Sequence, residues 1–254
     1  MKNSTIKKII LFILGILFIL GIYEIFRLSA NNDLLFPSII DIFKEVLKTF
    51  FNLENQLLLL NVLKRVIIII LISLIINIIL AAAYKLLPEI DYFFKPINSL
   101  FKSIPFVIIS LYLFIVLFNQ RELILYIISF MVVFPIMYEG IIGYLRNFDS
   151  RLEDELKLLN ISFFKKFFFC YLPLSIQDLL VSFLQSLGLC FKVVIMTEYL
   201  CVVPHSIGSI IQNATLSIEY IKLLAWLCII VFIVCILDFV INIIINKIKK
   251  KMIN

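Results

Sequence analysis

The sequence predicts an all-α polytopic membrane protein with about six transmembrane helices. Hydrophobic residues make up 63% of the 254 residues, and the mean hydropathy is +1.12. A water-soluble domain averages about 45–50% apolar residues. The apolar residues fall in long runs between short charged segments, with only six glycines and seven prolines to interrupt them. We therefore expect a single transmembrane domain over residues 1–254.

Six apolar runs define the predicted spans, and charged residues or prolines bound most of them. Their approximate bounds are 9–23, 66–84, 104–118, 123–137, 174–202 and 223–245. The third and fourth runs have only about 15 residues, which predicts tilt or local thinning of the bilayer. The first run follows three lysines, as in a cleaved signal peptide, but its near-spanning length favours a retained helix. Residues 37–51 are expected to form an amphipathic helix at the membrane surface.

The distribution of lysine and arginine orients the predicted spans. Six spans place both termini on one side, together with the loop around Lys95 and the polar central segment 140–173. That side carries about twice as many lysines and arginines as the other, with Lys192 left out because it lies inside a span. We therefore expect both termini and the central segment in the cytoplasm, and the loop around His205 outside.

The central segment 140–173 is predicted to form two short helices with a bend between them. Ser150 and Glu153 fit a capping box that opens the first helix, and Asn160 fits a left-handed cap that closes it. The second helix is expected to end before Pro173, because proline restricts the residue that precedes it. Helical spacing predicts one apolar stripe, formed by Leu152, Leu156 and Leu159.

The motifs of common enzymes are missing from the sequence. It has no G-x-x-x-x-G-K-[ST] phosphate loop, no H-E-x-x-H and no G-x-S-x-G, and it contains a single histidine. Its five cysteines form no C-x-x-C pair and are expected to act as small hydrophobes. We expect no enzyme activity, no cofactor, no metal and no nucleic-acid partner. Three classes stay open on these grounds: a transport subunit, a membrane scaffold or assembly protein, and an intramembrane enzyme of unknown type.

A longer pattern in the central segment begins at Asp154. Leu156 follows two residues later, Asn160 six residues after Asp154, and then, after nine further residues, Cys170-x-Leu-Pro, which ends at Pro173. This spacing resembles the signature loop of the permease subunits of bacterial ABC importers, which has Glu-x-Ala, Gly and Ile-x-Leu-Pro at these positions. Leu156 in place of alanine is the departure that bears most on close helix packing.

Other stretches resemble the nitrate, sulfonate and taurine branch of that family. They are LLFPSIIDIFKEVL at 34–47, NVLKRV at 61–66, LGLCFKVVIMTEYL at 187–200 and SIGSIIQNA at 206–214. Their order and spacing extend the resemblance over nearly the whole chain. The resemblance implies the type I importer permease fold and a small anionic solute such as a sulfonate, taurine or nitrate.

The resemblance also implies partners and a location. A permease of this family lies among lipids in the bacterial inner membrane and pairs with a second permease, here expected to be an identical copy. Each permease docks one cytoplasmic ABC ATPase subunit, which hydrolyses the ATP, and an extracytoplasmic solute-binding protein delivers the solute. The residues expected to couple to the ATPase are Leu152, Asp154, Glu155, Leu156, Lys157, Leu159, Asn160 and Pro173.

Two ionisable residues, Lys192 and Glu198, lie inside the fifth predicted span. Neither is expected to face lipid, because a charge at the centre of a bilayer costs about 2.5–3.5 kcal/mol on insertion scales. They are six residues apart, about 240° around a helix, so they do not pair with each other. We expect both to face the translocation path. The alternative is structural: Lys192 would bond carbonyls of a neighbouring span, and Glu198 would cap or pair in the outer loop.

Overall fold

The chain folds into helices throughout the computed structural model, which describes residues 2–30, 32–159 and 161–253. Over these ranges it has eleven α-helices and no β-strand, so the predicted all-α fold is confirmed. The helices are α1 Lys2–Ala30, α2 Ile39–Phe50, α3 Leu53–Leu86, α4 Ile90–Ser103, α5 Phe106–Val116, α6 Arg121–Arg146, α7 Ser150–Leu158, α8 Phe163–Lys166, α9 Leu172–Leu200, α10 Ile207–Leu216 and α11 Tyr220–Ile253. A π-helical turn, Phe167–Tyr171, joins α8 to α9.

Four stretches of helix in the described chain are long and apolar enough to cross a membrane. They are Leu53–Leu86, Arg121–Arg146, the continuous run Phe163–Leu200, and Tyr220–Lys247. Helices α4 and α5 meet at 92° and add a fifth crossing if the bent pair counts as one. The first predicted span, residues 9–23, lies inside α1, which is not among the four. The expected number of about six is reached when the bent pair and α1 both cross.

The third predicted span, 104–118, is not one straight helix. Helix α5 has eleven residues and is therefore about 16 Å long, roughly half of the hydrocarbon thickness. The break lies at Ile104, whose backbone is extended because Pro105 follows it. The sequence predicts a loop around Lys95, but the structure has helix α4 there, and α4 supplies the rest of the bent pair.

The fourth span is longer than the sequence predicts. Helix α6 continues for nine residues beyond the predicted end at Met137 and has 26 residues in all. Its last part carries Glu139 and Arg146, which pair with each other at 2.9 Å between Arg146 Nη1 and Glu139 Oε2. Because these charges are paired, they do not end the helix, and the predicted length of about 15 residues for this span is wrong. The central polar segment accordingly begins after Arg146 and not at Gly140.

Helices α3, α6 and α9 form the centre of the bundle, with α10 and α11 packed on α9. Ile69, Leu125 and Phe191 are fully buried in the core that these three helices share. Helices α6 and α9 approach closely at Gly140. A Cβ atom on Gly140 would overlap the side chain of Ser182, so only glycine allows this separation.

The bundle has two polar ends, which we name after the short helices that lie there. At the α10 end, Arg65 of α3 meets Glu198 of α9. At the α7 end, Lys85 of α3 meets Glu153 of α7. The last residues of α1 lie at the α10 end, where the Tyr23 hydroxyl donates a hydrogen bond to the carbonyl of Pro37. Helix α11 begins at the same end, directly after α10. The first residues of α1 and the last residues of α11 therefore point to the α7 end.

Candidate functional site

Helix α7 is the nine-residue helix of the central segment, and Asp149 caps it. The backbone N–H of Arg151 donates to Asp149 Oδ1 at 2.8 Å. The predicted capping box of Ser150 and Glu153 is therefore wrong, because the cap lies one residue earlier. Counted from Asp149, Glu153 is the fourth residue of the helix, whereas a capping box needs a glutamate at the third. The Glu153 carboxylate therefore does not bond the backbone N–H of the cap and turns toward the spans instead.

The leucines of α7 do not form one exposed stripe. Leu156 is only 8% exposed and belongs to the chain's own core at the α7 end, whereas Leu152 is 39% and Leu159 48% exposed. Leu158, which the sequence reading did not select, is 86% exposed. It lies about 200° around the helix from Leu156, so burial of Leu156 leaves Leu158 pointing outward. Among the leucines at 152–159, the exposed ones are therefore Leu152, Leu158 and Leu159.

The predicted polar partners on α7 are all exposed. They are Asp154, Glu155 and Lys157, and Lys157 Nζ lies 3.0 Å from Asp154 Oδ1 on the same helix. Asn160, the predicted left-handed cap, lies outside the residues that the structure describes. The last described residue before it, Leu159, has an extended backbone.

Pro173 does not end a helix as predicted. It lies in the first turn of α9, where a missing N–H is tolerated, and helix continues from α8 through the π-helical turn into α9. In a regular α-helix the ring of Pro173 would clash with the carbonyl of Phe169. The π-helical turn widens the backbone over Phe167–Tyr171 and so accommodates the proline.

Glu153 joins α7 to the membrane helices. Lys85 Nζ lies 2.6 Å from Glu153 Oε2, and the hydroxyl of Tyr171 donates to Glu153 Oε1 at 2.8 Å. Lys85 Nζ also lies 4.7 Å and 4.5 Å from the ring centroids of Phe148 and Tyr171. Burial raises the pKa of the Glu153 carboxyl, but the bonds from Lys85 and Tyr171 outweigh it and hold the pKa below its ordinary value.

A second ion-pair cluster at the α7 end joins α4 to α6. Arg146 donates twice to Asp91, at 2.9 Å from Nε and 2.7 Å from Nη2, and once to Glu139. Tyr138 donates to Asp91 Oδ1 at 2.7 Å. This two-point guanidinium contact fixes the bent pair of helices against α6.

At the α10 end Glu198 has a structural role. It is fully buried, accepts from Arg65 Nη1 at 2.7 Å, and accepts from the backbone N–H of Gly208 at 3.1 Å. Arg65 Nη2 donates in turn to Glu122 at 2.6 Å. Glu198, which we expected to face a translocation path, lies on no open face in this structure: its buried carboxylate binds the start of α10 and the side of α3. The capping role that the sequence left open is the one observed.

Lys192 lies on an open polar face of α9. Asp178, Gln185 and Lys192 are exposed and follow one another at seven-residue spacing, so each is displaced by only about 20° around the helix. An open cavity of about 560 Å³ adjoins this face between α6 and α9, with Glu139, Asp178 and Gln185 among its lining residues. We name the face of Asp178, Gln185 and Lys192 the open α9 face.

Asp238 is a charged residue that the sequence reading missed. It is exposed on α11, and its Oδ1 lies 3.2 Å from where a Cβ of Gly188 would be, one helical turn before Lys192. The available signal was an acid inside the sixth apolar run, which runs on to Ile245 without another charge.

Several apolar helices of spanning length, an exposed polar face on one of them and a short helix tied to their ends define a polytopic membrane protein. Residues 78–254 match the family described as binding-protein-dependent transport system inner membrane component. This match covers more than half of the chain, so the chain belongs to that family and is the permease component of a binding-protein-dependent ABC transporter. None of the curated proteins compared with the chain matches it.

Proposed function

We propose that the chain is an importer permease that forms the solute path with a second, identical copy and is driven by a separate ATPase subunit through α7. The observation that carries the proposal is the construction of α7. It is a short helix at one end of the bundle, exposed on its outer side and tied by Glu153 to Lys85 and Tyr171 on its inner side. A helix of nine residues is unstable alone, so these contacts hold it in place.

The ATPase contact is the outer surface of α7. Leu152, Leu158 and Leu159 provide its apolar part, and the charged part consists of Asp154, Glu155 and Lys157. Leu156 anchors the helix from within, which is the structural role that a leucine in the alanine position of the family signature can take. The resemblance also includes Asn160 and Pro173, and in our proposal Pro173 acts through the π-helical turn.

The α7 end lies in the cytoplasm, and the solute-binding protein docks at the α10 end. The bias of lysine and arginine toward the α7 end supports this orientation in a bacterial inner membrane. Closure of two ATPase subunits on ATP would move both α7 helices, and the spans would then rock between inward-open and outward-open states as rigid bodies.

The open α9 face lines the solute path. Polar side chains exposed on a spanning helix do not face lipid at low cost, so in our proposal they face water and a second copy of the chain. Lys192 provides a positive charge to a small anion such as a sulfonate, taurine or nitrate. Asp178 and Glu139 lie at the end of the cavity nearer α7, where the solute leaves for the cytoplasm.

Binding of the ATPase to membrane vesicles tests both the contact and the orientation. The cognate ATPase, taken from the neighbouring coding sequences, should bind inside-out vesicles that hold the permease and not right-side-out vesicles. Leu158→Asp should weaken binding at least about tenfold, because it places a charge in an apolar contact. Leu216→Asp changes a leucine at the α10 end that is 76% exposed, against 86% for Leu158; it is the matched control and should bind like wild type. Unchanged binding by Leu158→Asp would refute the contact, and binding to right-side-out vesicles would reverse the orientation.

A further inference from the structure

We propose that Lys85, Glu153 and Tyr171 form a tether that transmits movement of α7 to α3 and α9 at once. The inference rests on the proposed function of α7. The three residues are positioning residues: in this arrangement they touch one another, and neither the solute path nor the outer surface of α7 includes them. We name these three residues the α7 tether.

The side-chain hydrogen bonds of Glu153 connect α7 to other elements, whereas those of Asp154 and Lys157 stay within α7. Each oxygen of the Glu153 carboxylate has a different partner, one at the end of α3 and one at the end of the π-helical turn. Lys85 is only 10% exposed, and its ammonium packs against the adjoining rings of Phe148 and Tyr171, so water screens the ion pair weakly. A displacement of Glu153 therefore has to displace both partners or break both bonds.

The two partners lead to different parts of the bundle. Lys85 is in the last turn of α3, whose other half carries Arg65 and so reaches the Glu198 pair at the α10 end. Tyr171 is the last residue of the π-helical turn and directly precedes α9, which carries the open α9 face. The Glu153 carboxylate thus links α7 both to the α10 end, through α3, and to α9, the helix that bears Lys192.

The π-helical turn is the part of this connection that can change shape. π-Helical hydrogen bonding is rare and occurs mostly as single turns inside α-helices, because its geometry is poorer than that of the α-helix. Tyr171 closes this turn and has its ring buried. A pull on the Tyr171 hydroxyl would therefore act on the segment of α8–α9 that is easiest to rearrange.

The first experiment uses the full-length permease alone in detergent, so its result does not depend on the ATPase. Amide hydrogen exchange over residues 150–158 should become at least about tenfold faster in Lys85→Met and in Glu153→Gln, and less so in Tyr171→Phe. Lys165→Met removes an exposed lysine of the same segment and is the matched control, with exchange as in wild type. Unchanged exchange in both Lys85→Met and Glu153→Gln would overturn the tether.

The second experiment measures transmission. In a variant without native cysteines, Gln185→Cys reports on the open α9 face, and its rate of maleimide labelling should change when ATP is added to the complex with the ATPase. Lys85→Met or Tyr171→Phe should retain the bound ATPase and lose this ATP-dependent change. A retained change would overturn the tether and leave the proposed function intact, whereas failure of the ATPase to bind the wild-type permease would overturn both.

Discussion

Glu198 and Glu153 show how one residue type acquires different roles at the two ends of the bundle. Glu198 is 0% exposed and shares its two oxygens between an arginine and the N-terminus of α10. Glu153 lies in a short outer helix and shares its oxygens between a lysine and a tyrosine. Sequence position placed Glu198 correctly within a span, but its partner Arg65 is 133 residues away, and no local pattern predicts such a pair.

The Arg65 network gives a prediction at the residue scale. Arg65→Met should lower the free energy of unfolding by about 3–5 kcal/mol, because it leaves the Glu198 charge buried and unpaired. Glu122→Gln is the control within the same network, and it should cost only about 0–1 kcal/mol because Glu122 is 64% exposed. Denaturant unfolding in detergent, followed by the fluorescence of the single tryptophan, Trp226, would measure both. Equal effects of the two changes would contradict our assignment of Glu198 as a buried structural charge.

Among the elements, the long apolar helices were predictable and the interrupted ones were not. The apolar runs that became α3, α9 and α11 are continuous enough that hydropathy alone finds them. The runs around α4, α5 and α6 contain prolines and charges, which predict helix ends. In the folded chain Asp91 and Arg146 pair, and Pro135 is tolerated inside α6, so tertiary contacts decided where these helices stop.

The contact between α6 and α9 gives a prediction at the element scale. Gly140→Ala should destabilise the protein by about 1–3 kcal/mol, since the new methyl group overlaps Ser182 across the contact. Gly143→Ala, three residues further along the same helix, is the matched control because its Cβ would meet no atom closer than Glu139 Oε2 at 3.8 Å. It should be neutral or stabilising by up to about 1 kcal/mol through helix propensity. Thermal unfolding in detergent distinguishes the two, and a neutral Gly140→Ala would show that the helices can separate at no cost.

At the scale of the whole molecule, the positions of the short helix α7 and of Lys192 could be predicted from the sequence better than their contacts. The segment 140–173 was identified as the polar centre of the chain, and its helix α7 was found. The inward turn of Leu156 and the Lys85–Glu153–Tyr171 contacts were not, because they depend on how α3 and α9 end beside α7. Lys192 could be singled out because it is a charge inside an apolar run, and the structure places it on the exposed face of α9.

The role of Lys192 is the prediction that belongs to the assembled transporter. Because lysine side chains in helices lean toward the N-terminus, we expect Lys192 to extend toward the level of Gly188, where the Asp238 carboxylate of α11 lies. A lysine and an aspartate that are both exposed on spanning helices need water or a protein partner, and the solute path that we propose between two copies would supply both.

Lys192→Met keeps the length of the side chain and removes its charge. If Lys192 attracts an anion, uptake of nitrate or of a small sulfonate into vesicles that hold the complete transporter should fall at least about tenfold, a loss of about 1.4 kcal/mol. Pairing of the permeases and binding of the ATPase should remain as in wild type. Lys222→Met, a half-exposed lysine at the start of α11, is the matched control and should leave uptake unchanged. Normal uptake in Lys192→Met would contradict this role. So would a loss of uptake that is fully explained by failed assembly. Either result would make Lys192 a structural residue and remove the charge argument for an anionic solute.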